Sequence, residues 1–79
     1  MAVSTKRLQF FKFRFERSDK KVFFLDVGAF STKQARLLAY LGLRAINERG
    51  KTINFWKSPR PEEAPKRAFV MYEGKILKF

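Results

Sequence analysis

The sequence predicts an α+β domain, a small antiparallel sheet in ββαβββ order with one helix packed on one face. Three observations carry this reading. Residues 31–50 mark both ends of a helix and place small apolar residues along one side, the aromatic segments flanking them alternate with a period of two, and short polar breaks separate those segments. A lone helix can cover only one face of such a sheet.

Residues 1–7 read as a flexible basic N-terminal arm ending in Lys6 and Arg7, and residues 8–79 as a single domain. In LQFFKFRFER, residues 8–17, Phe11, Phe13 and Phe15 face one way, while Phe10, Lys12, Arg14 and Glu16 face the other. Residues 18–21 form a hairpin connection to a second strand, whose inner face is Phe23, Leu25 and Val27 and whose outer face is Val22, Phe24 and Asp26.

The helix follows. Ser31 and Gln34 have the spacing of a capping box, in which each satisfies a backbone N–H near the helix start. Gly50, preceded by Arg49, is the expected closing residue. At 100° per residue Ala35, Leu38, Ala39, Leu41, Gly42, Ala45 and Ile46 share the inner side, and Lys33, Arg36, Tyr40, Arg44 and Asn47 the outer. A glycine in the middle of a helix costs about 1 kcal/mol relative to alanine. Gly42 therefore implies close approach to a flat surface, the sheet.

After Gly50 a third strand places Ile53 and Phe55 on one face and Thr52, Asn54 and Trp56 on the other. Residues 58–67 hold all three prolines and are expected to form a surface loop. The segments AFVMY and ILKF then make a closing hairpin around Glu73, Gly74 and Lys75. The face without a helix is left with Phe10, Phe24 and Trp56 among cations, joined by Tyr72 or Val70 according to register.

At 79 residues the core is near the lower limit of self-sufficiency, and ten phenylalanines supply the large buried groups that such a chain needs. Cysteine and histidine are absent, which excludes disulfides, the usual zinc sites and catalysis by either side chain. No cofactor or metal is expected. The carboxylates are scattered. Glu73-Gly74-Lys75 matches the E-x-K fragment of metal-dependent nucleases, with Asp26 as a candidate second ligand, but three residues with one wildcard do not specify a two-carboxylate magnesium site. The chain is read as non-enzymatic. No run approaches the roughly 18 apolar residues of a membrane span and no signal segment is visible, so the expectation is a soluble, cytoplasmic protein.

Eighteen Lys and Arg against seven Asp and Glu give a net charge of +11, which calls for a polyanionic partner. The leading expectation is a small nucleic-acid-binding protein that makes mainly phosphate-backbone contacts. Lys12, Arg14, Arg17, Lys20 and Lys21 of the hairpin would hold phosphates, aided by Arg36 and Arg44 on the helix. Phe10, Phe24, Trp56 and Tyr72 would stack on bases or form an interface. The alternative is an interaction or inhibitor module, of the kind phage and mobile elements carry, docking a basic aromatic surface on an acidic protein. A homodimer through the same aromatics is a further use of that surface.

Ala68-Phe69-Val70-Met71-Tyr72 resembles the end of the aromatic strand element of RNA-recognition-motif domains, which implies stacking of RNA bases on a strand. The resemblance covers five residues. Pro65-Lys66-Arg67 lacks the glycine and aromatic that precede this stretch in that family, and the ββαβββ order departs from its βαββαβ, so the chain is not assigned to it.

Overall fold

The structure, a computed structural model, describes residues 7–78. Its elements are β1 (Gln9–Glu16), β2 (Val22–Ala29), α1 (Thr32–Ala45), β3 (Lys51–Ser58), β4 (Phe69–Tyr72) and β5 (Lys75–Ile76). The strands form one antiparallel sheet in the order β3-β1-β2-β4-β5, with the helix on one face. This is the predicted α+β arrangement. Except for Arg7, the expected basic arm lies outside the described residues.

Register fixes the core. Phe11, Phe13 and Phe15 of β1 pair with Val27, Leu25 and Phe23 of β2, so the apolar sets of both strands share the helix side. The phenylalanine rings lie against one another: Phe13 stacks on Phe55 at 4.9 Å between centroids and Phe15 on Phe23 at 5.5 Å. Burying each such side chain contributes about 1.5 to 3 kcal/mol. The helix lies against β2 and β4 through Ala35, Ala39, Gly42 and Leu43, all buried. A Cβ added at Gly42 would stand 2.8 Å from Val70 Cγ1 and 3.2 Å from Leu25 Cδ1, which is the close approach that its position implied.

Several details depart from the sequence reading, the burial of Leu43 and the pairing of Lys75 with Tyr72 among them. The helix closes earlier, on Asn47 rather than Gly50. Asn47 takes the left-handed conformation at φ 56°, its N–H donates to the Arg44 carbonyl, and the Glu48 N–H reaches back to the Leu43 carbonyl at 2.9 Å. That is a Schellman closure with asparagine in the place that glycine usually takes. Ala45, in the last turn, is consequently exposed. At the other end Ser31 caps as expected, its hydroxyl accepting from the Gln34 N–H at 3.1 Å, but the Gln34 side chain accepts from the Phe30 N–H at 2.8 Å, one residue before the cap.

The remaining departures come from β3 and β4. A bulge between Arg14 and Phe15 puts Asn54 opposite Arg14 but Thr52 opposite Phe15. The extra residue turns Thr52 to the helix side and leaves Ile53 44% exposed instead of in the core. On β4, Val70 pairs with Val27 and is buried under the helix, and Tyr72 lies on that same side with its ring edge-on to Phe23. Tyr72 is therefore absent from the open face. Phe69 and Met71, paired with Gly28 and Asp26, are the β4 residues on that face.

Candidate nucleic-acid interface

The open face is a grid set by the pairing of β2, β1 and β3. Its rows, read in that order, are Val22, Glu16 and Lys51; Phe24, Arg14 and Asn54; Asp26, Lys12 and Trp56; then Gly28, Phe10 and Ser58. Phe24 and Trp56 stand on opposite sides of β1 and meet over it edge to face, with centroids 6.4 Å apart at 76°. Both remain largely in water, Phe24 at 46% and Trp56 at 42% exposure. Arg14 lies directly opposite Phe24, and Lys12 directly opposite Trp56. Exposed rings with a cation in each row give a surface able to stack unpaired bases while holding their phosphates.

Phe10 belongs to this face but is not open. Phe69 crosses over Gly28 to reach it, with centroids 5.8 Å apart. A Cβ at Gly28 would come within 2.2 Å of the Phe69 ring, so only glycine leaves room for that crossing. The proline-bearing loop closes over the same corner. Together they reduce Phe10 to 6% exposure and leave a cavity of about 330 Å³ between loop and sheet.

The seven expected cations do not share one surface. Lys12 and Arg14 are on the open face, where Lys12 Nζ is 3.7 Å from Asp26 Oδ1. Lys20 and Lys21 are exposed at the hairpin tip. Arg17 turns to the helix side, where its Nη1 donates to both Glu48 oxygens at 3.0 and 3.2 Å, and its Nε and Nη2 donate to Asp19. The Arg17 hydrogen bond holds the Asp19 carboxyl down at about 2, helped by the Lys21 backbone N–H, and the two carboxylates raise the arginine further. Arg17 is thus a fastening between hairpin and helix end, with its donors already committed.

Arg36 and Arg44 extend along the helix. Arg36 lies over the Phe55 ring at 4.7 Å from its centroid, and the Thr52 hydroxyl donates to Tyr40 Oη at 3.3 Å. These residues line a groove of about 450 Å³ between α1 and β3, on the opposite side of the sheet from Trp56. Arg44 is exposed beyond it. Sequence reasoning missed Arg49 and Lys51, which with Arg17 and Lys20 line an open depression of about 830 Å³ at the hairpin end. No signal in the sequence marks them, because Lys51 reaches the row of Glu16 only through the bulge.

Among the described residues no cluster of three metal-ligating side chains exists, and Glu73 of the E-x-K fragment is an exposed turn residue at φ 51°. Burial, with Glu73 beside it, raises the Tyr72 phenol above its ordinary value. No helix among the described residues is long and apolar enough to cross a membrane. Neither family models, curated proteins nor solved structures give a match to this chain.

Proposed function

We propose that the protein is a small, non-enzymatic, cytoplasmic nucleic-acid-binding protein that holds a single strand across the open face of its sheet. The observation that carries this reading is the exposed Phe24 and Trp56 pair with Arg14 and Lys12 in the same rows. A solvent-facing aromatic pair is costly to leave in water without a partner. Bases stack on such rings at about 1 to 3 kcal/mol each, with little regard to sequence.

Phosphates would be held by Arg14 and by Lys20, Lys21 and Lys51 at the hairpin end, with Arg36 and Arg44 reaching strands that pass around β3. Arg17 and Tyr72 take no part, the first because its donors are committed and the second because it faces the helix.

The test is fluorescence anisotropy with labelled single-stranded and duplex oligonucleotides at low and near-physiological salt, following Trp56 emission. Four phosphates engaged on a single strand give a slope of log affinity on log salt of about −3. Quenching of Trp56 by single strands but not by duplex is the expected signature. A flat salt dependence overturns the reading, and an absence of binding at low salt redirects the same aromatic surface to an acidic protein or a second copy of the chain.

A further inference from the structure

The cavity beneath the proline-bearing loop adjoins the stacking surface and differs from it in chemistry. Phe10 and Phe69 form its apolar floor, with Met71 beside them and Pro61 and Pro65 above. At about 330 Å³ it is at the small end of ligand pockets, which run from roughly 300 to 1,000 Å³. Its polar lining is the Lys12 and Asp26 pair on the sheet, which shares a row with Trp56, together with Ser58 and the exposed loop residue Glu63. A strand with one base on Trp56 therefore has a neighbouring base within reach of this pocket.

The pair at 3.7 Å is too long for a hydrogen bond, so Asp26 keeps acceptors and Lys12 keeps donors for a third group. Side by side, a carboxylate and an ammonium offer two acceptor oxygens and a donor. Guanine presents the complement along one edge: N2–H and N1–H as parallel donors, then O6 as an acceptor. Adenine and cytosine offer the carboxylate a single donor there, and thymine places its one N–H between two carbonyls that the carboxylate repels. Guanine alone fills all three positions.

We propose, on the nucleic-acid reading above, that this pocket takes one guanine base of the bound single strand, with its edge read by Asp26 and Lys12 and its faces packed between Phe10, Phe69 and the loop prolines. Binding is thus sequence-tolerant over Phe24 and Trp56 and guanine-selective at one adjoining position.

The experiment compares a labelled oligothymidylate with the same oligomer carrying one central guanine, adenine or cytosine, using wild type and Asp26→Asn, with the Met71 methyl resonance followed by NMR. Wild type is expected to bind the guanine oligomer at least about fivefold more tightly than the other three, the low end for a bidentate base contact. Ring current from the guanine moves the Met71 methyl, which the oligothymidylate leaves in place. Asp26→Asn removes the preference and binds oligothymidylate as well as wild type or slightly better, because Lys12 is released.

Equal affinities for all four oligomers, or a preference that survives Asp26→Asn, overturn the pocket while leaving the sheet-face reading intact. Failure of the oligothymidylate to bind at low salt overturns that reading itself. Guanosine monophosphate, titrated alone, separates the sources of the base: if it moves the Met71 methyl at the concentrations where the guanine oligomer does, the site belongs to a free nucleotide and the strand-borne proposal falls.

Discussion

On the helix side of β1 and β2 the side chains of Phe11, Phe13, Phe15, Leu25 and Val27 are at most 1% exposed, whereas on the opposite side of the same strands Phe24 keeps nearly half its surface in water. The two faces use similar residues. What separates them is cover: small helix residues let α1 descend onto β2 and β4, while the open face receives only a loop, and only over Phe10 and Phe69. The aromatics under the helix are accounted for by stability. Phe24 and Trp56 are left largely in water, and it is on them that the proposed binding role rests.

The largest effect that tests this contrast is on the covered side. Phe13→Ala removes a ring buried to 1% exposure and stacked on Phe55, and is expected to cost about 3 to 5 kcal/mol. In a domain this small, denaturation in urea should show most of the folded state lost. Trp56→Ala serves as its counterpart on the open face, with stability changed by less than about 1 kcal/mol. Comparable losses in the two variants would mean that the faces do not divide the labour as argued.

Next in size is Gly42→Ala. Its methyl meets Val70 and Leu25 in the packed layer, and overpacking of that kind costs about 1 to 3 kcal/mol. Higher helix propensity returns up to about 1 kcal/mol. A net loss in denaturant midpoint is expected, and a gain would show that the helix can lift from the sheet without consequence. On the open face, Trp56→Ala should weaken single-strand binding by about 1 to 3 kcal/mol and leave duplex binding nearly unchanged, as read by anisotropy.

The sheet was legible because alternation in residues 8–17 and 22–27 survives intact and because glycine 42 and the alanines around it announce a flat partner. Boundaries were less so. Asn47 and Gly50 both satisfy the preference for a left-handed closing residue, and only packing chooses between them. The bulge in β3 breaks the alternation that would have placed Thr52, and nothing in KTINFWK marks an extra residue. Arg17 looked like its neighbours because its partner Glu48 is 31 residues away in sequence. Within the candidate site Phe24, Trp56, Lys12 and Arg14 follow from alternation alone, whereas the face of Tyr72 depends on the register of β4 and the rows of Thr52 and Lys51 on the bulge in β3.

A smaller effect tests the edge next to the open face. In the β4 to β5 turn Glu73 is held at φ 51° before Gly74 at φ 78°, a two-residue hairpin in which asparagine is favoured at the first position. Glu73→Asn is expected to stabilise the fold by about 0.5 to 1 kcal/mol by relieving that left-handed conformation, seen as a higher denaturant midpoint with unchanged nucleic-acid affinity.

The smallest effect lies where the two faces are joined. Arg17 ties the hairpin, which carries the open face, to Glu48 just beyond the helix, and Asp19 orients it through its own hydrogen bonds. The Asp19 carboxyl titrates at about 2 in the folded protein against 3.8 for the free group. A carboxylate whose folded value is depressed stabilises the fold above its unfolded value, and that contribution disappears as pH falls through the folded one. The contribution of Asp19 is therefore whole above about pH 4 and lost between pH 4 and 2. Asp19 is solvent-exposed, so the effect is modest and weakens with salt. Urea midpoints of wild type and Asp19→Asn should differ at pH 5 and converge as pH approaches 2. If the two curves run parallel through that window, Asp19 is not what holds Arg17 in place, and Glu48 alone fastens the hairpin to the covered face.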